Sequence, residues 1–348
     1  MSHCIGIDVS KSTLNVHIAK TGQDLSIDNT LKSIAKLHAK LKKIFKKESD
    51  QMVWVFEPTG SYSEGLRKYC SQKEIRCFIV NPKQSANYAK ALGEPIKNDE
   101  VDARILSQSI TLAKAEQITV PYYDESVEKI KELMSFYKFT TRQTTQMKNH
   151  LESLVSKGGD SYAIKELRRS IRANKEKEEE IIARVRKIID ENPTLKEGFE
   201  HITTLPGIGQ IGGIALLHLF MKYPEANQRQ LTSLVGLNPV YRKSGSSLQS
   251  THKISKSGSV FYRGSLFMGV MTAIRYDEYF KTFYTRLKAN GKHTTQAQIA
   301  VMRKMILIAH SLYKNKRDYV RDFSNQEEIK MGRFKRFIVM IGISVALF

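Results

Sequence analysis

The chain has 348 residues, 41% of them hydrophobic and 26% charged, with 8 Pro and 20 Gly. That is a globular composition, neither disordered nor collagen-like, and it is long enough for two domains or a domain with long helices. Lys and Arg outnumber Asp and Glu by 56 to 35, a formal net charge of +21, and so large a surplus points to a polyanionic partner, nucleic acid or an acidic membrane.

The N-terminus, Met-Ser-His-Cys-Ile-Gly-Ile-Asp, has no basic stretch leading into a long apolar run, so no secretory leader is expected. Cys4 to Ile18 forms two β-rich runs broken by Val9-Ser-Lys-Ser-Thr, the pattern of a hairpin. Leu31 to Phe45 has helical periodicity with lysines on its outer face. Met52 to Phe56 is a short apolar run that ends at Glu57-Pro-Thr-Gly, a strand followed by a stop. Ile75 to Val80 reads as another strand, closed by Asn81-Pro82. Asp99 to Ala115 reads as a helix with Val101, Ile105 and Leu112 along one stripe. Strands interleaved with helices predict an α/β sheet for this first region. Cys4, Cys70 and Cys77 are too few and too scattered for a disulfide framework, and none forms a C-x-x-C pair. This suits a reducing cytosol and argues against zinc.

From Ser126 to about Asn192 long charged helices are expected, broken at Gly158-Gly159 and ended by Asn192-Pro193, as in a spacer or coiled-coil arm. The third region, about His201 to Tyr319, opens with Leu205-Pro-Gly-Ile-Gly-Gln-Ile-Gly-Gly and continues into further helices. Between Arg229 and Arg336 there are 21 Lys plus Arg against 6 Asp plus Glu, so the polyanion site is expected here. The apolar tail from Phe337 to Phe348 falls short of the roughly 20 residues of a spanning helix. A secreted or integral membrane protein is therefore not expected, and no function is assigned to the tail.

Acids occupy places that a core would not choose. Asp8 interrupts Cys-Ile-Gly-Ile-Asp-Val, Glu57 ends the strand Val53-Trp-Val-Phe, and Asp99 and Asp102 stand three apart on one helix face. A lone acid at a strand end is ordinarily a surface residue, and Asp99 also suits a helix N-cap. Carboxylates drawn together need a compensating cation, for which hard divalent metals with oxygen ligands are the usual solution. The order of these acids, on a first strand, at the end of a later strand, then paired on a helix, is that of ribonuclease-H-like nucleases.

The strings Gly-Ile-Asp-Val-Ser-Lys (6–11), Glu-Pro-Thr-Gly-Ser-Tyr (57–62) and Asn-Asp-Glu-Val-Asp-Ala-Arg (98–104) closely resemble the RuvC-like domain of the DEDD transposases of bacterial insertion sequences, the family that includes the Piv and MooV DNA invertases. The resemblance covers about residues 4 to 320. It implies an α/β ribonuclease-H-like domain over 1–122, a helical arm over 123–200 and a mainly helical serine-bearing domain over 201–322, with the tail 323–348 left over. It also implies that Asp8, Glu57, Asp99 and Asp102 bind Mg²⁺ or Mn²⁺.

The glycine-rich segment resembles a helix-hairpin-helix turn, in which Gly207 and Gly209 would hold a nucleic-acid phosphate; a tight helix crossing is the other reading. Downstream, Gly236-Leu-Asn-Pro-Val-Tyr-Arg-Lys-Ser-Gly-Ser-Ser matches the family's pattern of Gly-Leu-x-Pro followed by a Ser-Gly whose serine attacks DNA. That match selects Ser244, with Ser246 and Ser247 as close neighbours. Arg242, Lys243, Lys253, Lys256 and Arg263 would grip phosphates nearby, or form an ordinary solvated basic surface.

The family resemblance implies a cytoplasmic transposase or site-specific recombinase acting on element-end and target DNA. It implies a homodimer or homotetramer with a guide, the bridge RNA, and no membrane partner. Two other functions fit part of the pattern: a RuvC-like metal-dependent junction nuclease with no covalent intermediate, and a non-enzymatic basic architectural protein.

Overall fold

The computed structural model describes residues 3–93, 99–240 and 253–321, with Asp99 and Glu100 in backbone only. The N-terminal apolar runs form one mixed sheet. Its strands β1 (Cys4–Val9), β2 (Thr13–Ile18), β3 (Gln23–Asp28), β4 (Val53–Phe56) and β5 (Cys77–Ile79) lie in the order β3-β2-β1-β4-β5. The first three form an antiparallel meander, whereas β4 and β5 are parallel to β1. Parallel neighbours require crossover connections, and these contain α1 (Leu31–Phe45) and α2 (Glu64–Gln72). After β5 come α3 (Pro82–Ala91) and α4 (Asp99–Gln108).

Strand periodicity divides the sheet into two faces. On one, Ile5, Ile7, Leu14, Val16, Trp54 and Phe56 pack with Ile34 and Leu41 of α1 and Leu66 of α2. On the other, Val53, Val55, Phe78 and Val80 pack with Leu106 of α4. Gly6 belongs to this second face, and α4 sits directly upon it. A Cβ built on Gly6 would lie 1.9 Å from the Ala103 carbonyl oxygen and 2.6 Å from the Ser107 nitrogen, so only glycine permits this seating. Arg104 of α4 also reaches Asp24 of β3, at 3.5 Å.

Several elements depart from expectation. The helix that begins at Asp99 ends at Gln108 and continues only as a 3-10 turn, Ser109–Leu112. Its buried residues include Ala103, Ile105 and Leu106, while Val101 is half-buried and Leu112 is exposed. The small Ala103, not a large apolar residue, marks the contact, because the helix backbone itself rests on Gly6. Strand β3 was not expected, since Gln23-Asp-Leu-Ser-Ile-Asp has little apolar content; it forms by pairing with β2 along a solvent-facing edge. The other edge is closed as well: Thr119 exchanges two hydrogen bonds with Cys77 of β5, at 2.8 and 3.1 Å. The expected strand Ile75–Val80 is trimmed to Cys77–Ile79, and Asn81-Pro82 opens α3 as N-cap and first helical residue.

The chain divides after Glu125 into two compact units. In the second, α5 (Glu125–Ser156) and α6 (Ser161–Asp190) run antiparallel from a turn at Gly158-Gly159. They are tied by the Thr144 hydroxyl donating to Glu178 at 2.6 Å. Asn192 caps α7 (Pro193–Thr203). There follow α8 (Gln210–Lys222), α9 (Gln228–Leu234), the short paired strands β6 (Pro239–Val240) and β7 (Lys253–Ile254), then α10 (Val260–Tyr276), α11 (Glu278–Ala289) and α12 (Thr294–Asn315). Ile130, Met134, Ile182, Val185 and Ile189 at the root of the arm share one core with Phe199, Leu216, Phe220, Leu266 and Met305. Among the described residues, no helix is long and apolar enough to cross a membrane. All three cysteines are buried free thiols.

Inside this core the His218 ring is hydrogen-bonded to the Tyr262 hydroxyl at 2.9 Å. Burial pushes the imidazole down to about 4, with Lys222 adding to the effect. Below about pH 6.5 the unfolded chain binds a proton that the fold refuses until about pH 4. Stability of this unit should therefore fall on acidification across that window, by on the order of 3 kcal/mol. Denaturant unfolding followed by circular dichroism at pH 7, 5.5 and 4 checks this, and His218→Gln should flatten the slope.

Gly6→Ala should displace α4 and cost the N-terminal unit about 1–3 kcal/mol, as overpacking of a close contact does. The only tryptophan of the chain, Trp54, is fully buried in this sheet, so its fluorescence reports the unfolding midpoint. An unchanged midpoint would mean that α4 does not depend on Gly6.

Candidate active site

The acids at the sheet are positioned by register. Ile7 of β1 pairs with Phe56 of β4, so Asp8 and Glu57 are the next residues along two adjacent parallel strands, whose backbones lie about 4.8 Å apart. Both belong to the face that α4 covers, opposite Ile5, Ile7 and Phe56. Asp102 stands one helical turn before Leu106, and Asp99 one turn before Ala103, the residues of α4 that pack on the sheet. α4 is thus seated over Gly6 on the face to which Asp8 belongs, and Asp99 and Asp102 lie in its first turn. The partial positive charge of a helix N-terminus favours acids at that position.

Neighbouring groups refine this arrangement. Asp8 is half-buried, and opposite it on β2 lies the buried Asn15. The buried Ser85 hydroxyl, on α3, donates a hydrogen bond to Glu57 Oε1, which holds that carboxylate in place. Ser85 and Asn15 were missed in the sequence. The one available signal for Ser85 was the Asn81-Pro82 helix start, which places a serine in the first turn of α3.

Carboxylate oxygens are the donors that a hard divalent cation takes, and by residue type and backbone placement these acids fit such an ion. Among the described residues, however, no three potential ligands stand together as a closed metal site. The side chain of Asp99 lies outside the described residues.

In the C-terminal unit, Gly207 has φ +84°, and a Cβ on it would lie 2.2 Å from the Gly269 carbonyl oxygen. Gly207 therefore serves a tight crossing of the α7–α8 turn on α10. Gly209 caps α8, and nothing lies within 4 Å of where its Cβ would be, so the helix start is open there. Arg263 donates through Nη1 to the carbonyls of Val235, at 2.6 Å, and Gly258, at 2.9 Å. It clamps the backbone on both sides of the β6–β7 pair, so this nitrogen is spent within the fold. Lys253 and Lys256 are exposed beside it. Ser244, Ser246, Ser247, Arg242 and Lys243 belong to the segment joining β6 to β7 and lie outside the described residues, as does the tail beyond Arg321.

Comparison with known proteins gives matches over both units. Residues 5–158 match the transposase family of the DEDD type named for IS110, and residues 199–285 match the transposase IS116/IS110/IS902 family. The pilin gene-inverting proteins of Moraxella bovis and Moraxella lacunata are each 26% identical over 323 residues, covering 90% of this chain and 97% of theirs. A 43.6 kDa protein of insertion element IS110 from Streptomyces coelicolor is 26% identical over 117 residues, 33% of this chain and 28% of its own length.

The clamp geometry makes a specific prediction. Arg263→Met should leave the carbonyls of the buried Val235 and the half-buried Gly258 without this donor and cost about 1–3 kcal/mol, read as a lower thermal midpoint. If Arg263 instead acts mainly on phosphate, the midpoint will hold and the salt dependence of DNA binding will weaken.

Proposed function

The chain belongs to the IS110 family of transposases, and from that premise we propose that it cuts and rejoins DNA through a serine–DNA phosphodiester at Ser244, assisted by Asp8, Glu57, Asp99 and Asp102. Family membership brings DNA strand cleavage and transfer, metal-dependent in the DEDD type. The observation that supports the finer reading is that Asp8 and Glu57 follow two paired parallel strands in register, on the sheet face where α4, the helix that bears Asp99 and Asp102, rests on Gly6.

In the proposed step the Ser244 oxygen attacks a backbone phosphorus. One Ser–O–P bond forms as one backbone P–O bond breaks. The serine proton is lost to a nearby base, and the departing strand end takes up a proton as a hydroxyl. Because bond energy is conserved, the reverse attack by a strand hydroxyl rejoins DNA without ATP. A serine hydroxyl is a weak nucleophile and needs activation. Mg²⁺ or Mn²⁺ held by the four carboxylates would supply that activation and offset charge developing on the phosphate. Ser85 orients Glu57 for this role. Lys253 and Lys256 lie beside the segment that carries Ser244 and suit backbone phosphates.

The family resemblance also supports a homodimer or homotetramer, with the carboxylates of one subunit meeting the serine of another. It supports a bridge RNA that selects sequence by base pairing, leaving the protein to read backbone and shape.

The test is a denaturing gel of protein, with co-purified RNA retained, incubated with element-end and target DNA plus Mg²⁺. A DNA–protein adduct should form with wild type and vanish with Ser244→Ala. Asp8→Ala and Asp102→Ala should each reduce it roughly 100-fold or more while the protein stays folded. Mg²⁺-dependent nicking without adduct, in wild type and Ser244→Ala alike, would replace the proposal with a junction nuclease. Full activity of either aspartate variant would remove the carboxylate assignment.

A further inference from the structure

The arm carries its charge unevenly. In the root half of α6, three cations are matched by acids: Arg184 with Glu180 at 2.7 Å, Arg186 with Asp190 at 3.0 Å, and Lys187 with Glu191 at 3.8 Å. In the distal half, Lys165, Arg168, Arg169 and Arg172 are exposed, and among the described residues none of the four makes an ion pair. From Ser161 to Lys175 the only acid is Glu166.

Helix geometry gathers these cations. At 3.6 residues per turn the four fall within an arc of about 100°. That arc faces away from the side where Ile171 and Asn174 are buried and Asn174 meets Met147 of α5. Tyr162, 72% exposed, extends the same face toward the turn at Gly158, and tyrosine hydroxyls join cations in contacting phosphates. Lys165–Arg169 and Arg168–Arg172 are like-charge pairs at i,i+4, which disfavour the helix. A merely solvated face would mix signs, as the root half does.

We infer that this outer face of distal α6 is a docking surface for the phosphate backbone of duplex DNA, separate from the basic region around Lys253 and Lys256. A row of one or two cations per 5.4 Å turn complements the dense linear charge of a duplex. An acidic membrane fits less well, because the apolar side that would enter the lipid is already packed against α5. The inference rests on the reading that the chain handles DNA.

The test compares full-length wild type with K165Q/R168Q/R169Q/R172Q, with K165Q/R169Q, and with the root control R184Q/R186Q/K187Q, each checked for helicity. Binding to a 30-bp duplex of arbitrary sequence and to a hairpin RNA is measured across a salt titration. For the duplex, the slope of log affinity against log salt should fall by about 3–4 in the quadruple variant and about 2 in the double variant, at roughly 0.9 per lost phosphate contact. It should hold in the root control. An unchanged duplex slope, a loss confined to the RNA, or an equal loss in the root control would overturn the inference. A wild type that forms the covalent adduct while the quadruple variant binds normally would sink this surface alone. A wild type that binds no DNA would sink the functional reading beneath it.

Discussion

The N-terminal unit depends on one contact between backbones, that of α4 with β1 at Gly6. Strand pairing alone brings Asp8 and Glu57 side by side, because β1 and β4 are parallel and in register. It does nothing for Asp99 and Asp102, which are about ninety residues away from Asp8 in sequence. Their position follows from a helix lying so close to the sheet that a single methyl group would collide with the Ala103 carbonyl. The helix N-terminus favours the acids of its own first turn, and in the proposed reaction a cation would offset the charge of all four. The fold thus separates the tasks: hydrophobic packing on the far face holds the sheet, while the near face gives up apolar burial at its end to present polar groups.

The second unit solves a different problem. Its core ties the root of the arm to the C-terminal helices, so the arm is anchored by Ile182, Val185 and Ile189 within the same apolar cluster as Phe220 and Leu266. Glycines again allow close approach, with Gly207 and Gly269 bringing the α7–α8 turn onto α10 backbone to backbone. Arg263 then holds the loops at the base of the β6–β7 pair. A guanidinium bonded to two carbonyls inside the fold is a reminder that positive charge in a nucleic-acid-handling protein is not all directed outward.

Legibility in the sequence followed the physics of each element. Leu31–Phe45, Val53–Phe56 and the break at Gly158-Gly159 were readable because their periodicity or punctuation is local. The acids were conspicuous because polar residues in apolar runs are costly, and their role as ligands belongs to the proposal. Strand β3 was not readable: its backbone hydrogen bonds, not its side chains, make it a strand. Nor was the stripe on α4, where close packing selects Ala103 and glycine over bulk. Ser85 could not be assigned to Glu57 from spacing, since the two lie 28 residues apart with α2 and β5 between them. The family likeness joined these fragments into one chemistry, which composition and charge alone left open.

The sheet edges limit how copies of this chain can associate. Edge strands commonly recruit another chain by extending the ladder of hydrogen bonds. Here one edge is β3, which carries Gln23, Asp24, Ser26 and Asp28 and so offers an added strand little apolar surface. The other edge, only three residues long, is already satisfied by Thr119. Among the described residues, neither edge therefore offers a long apolar strand for continuous β-augmentation. β1 and β4, the strands that lead to Asp8 and Glu57, lie inside this ladder, so a partner that reached the sheet edge-on would meet β3 or β5 first.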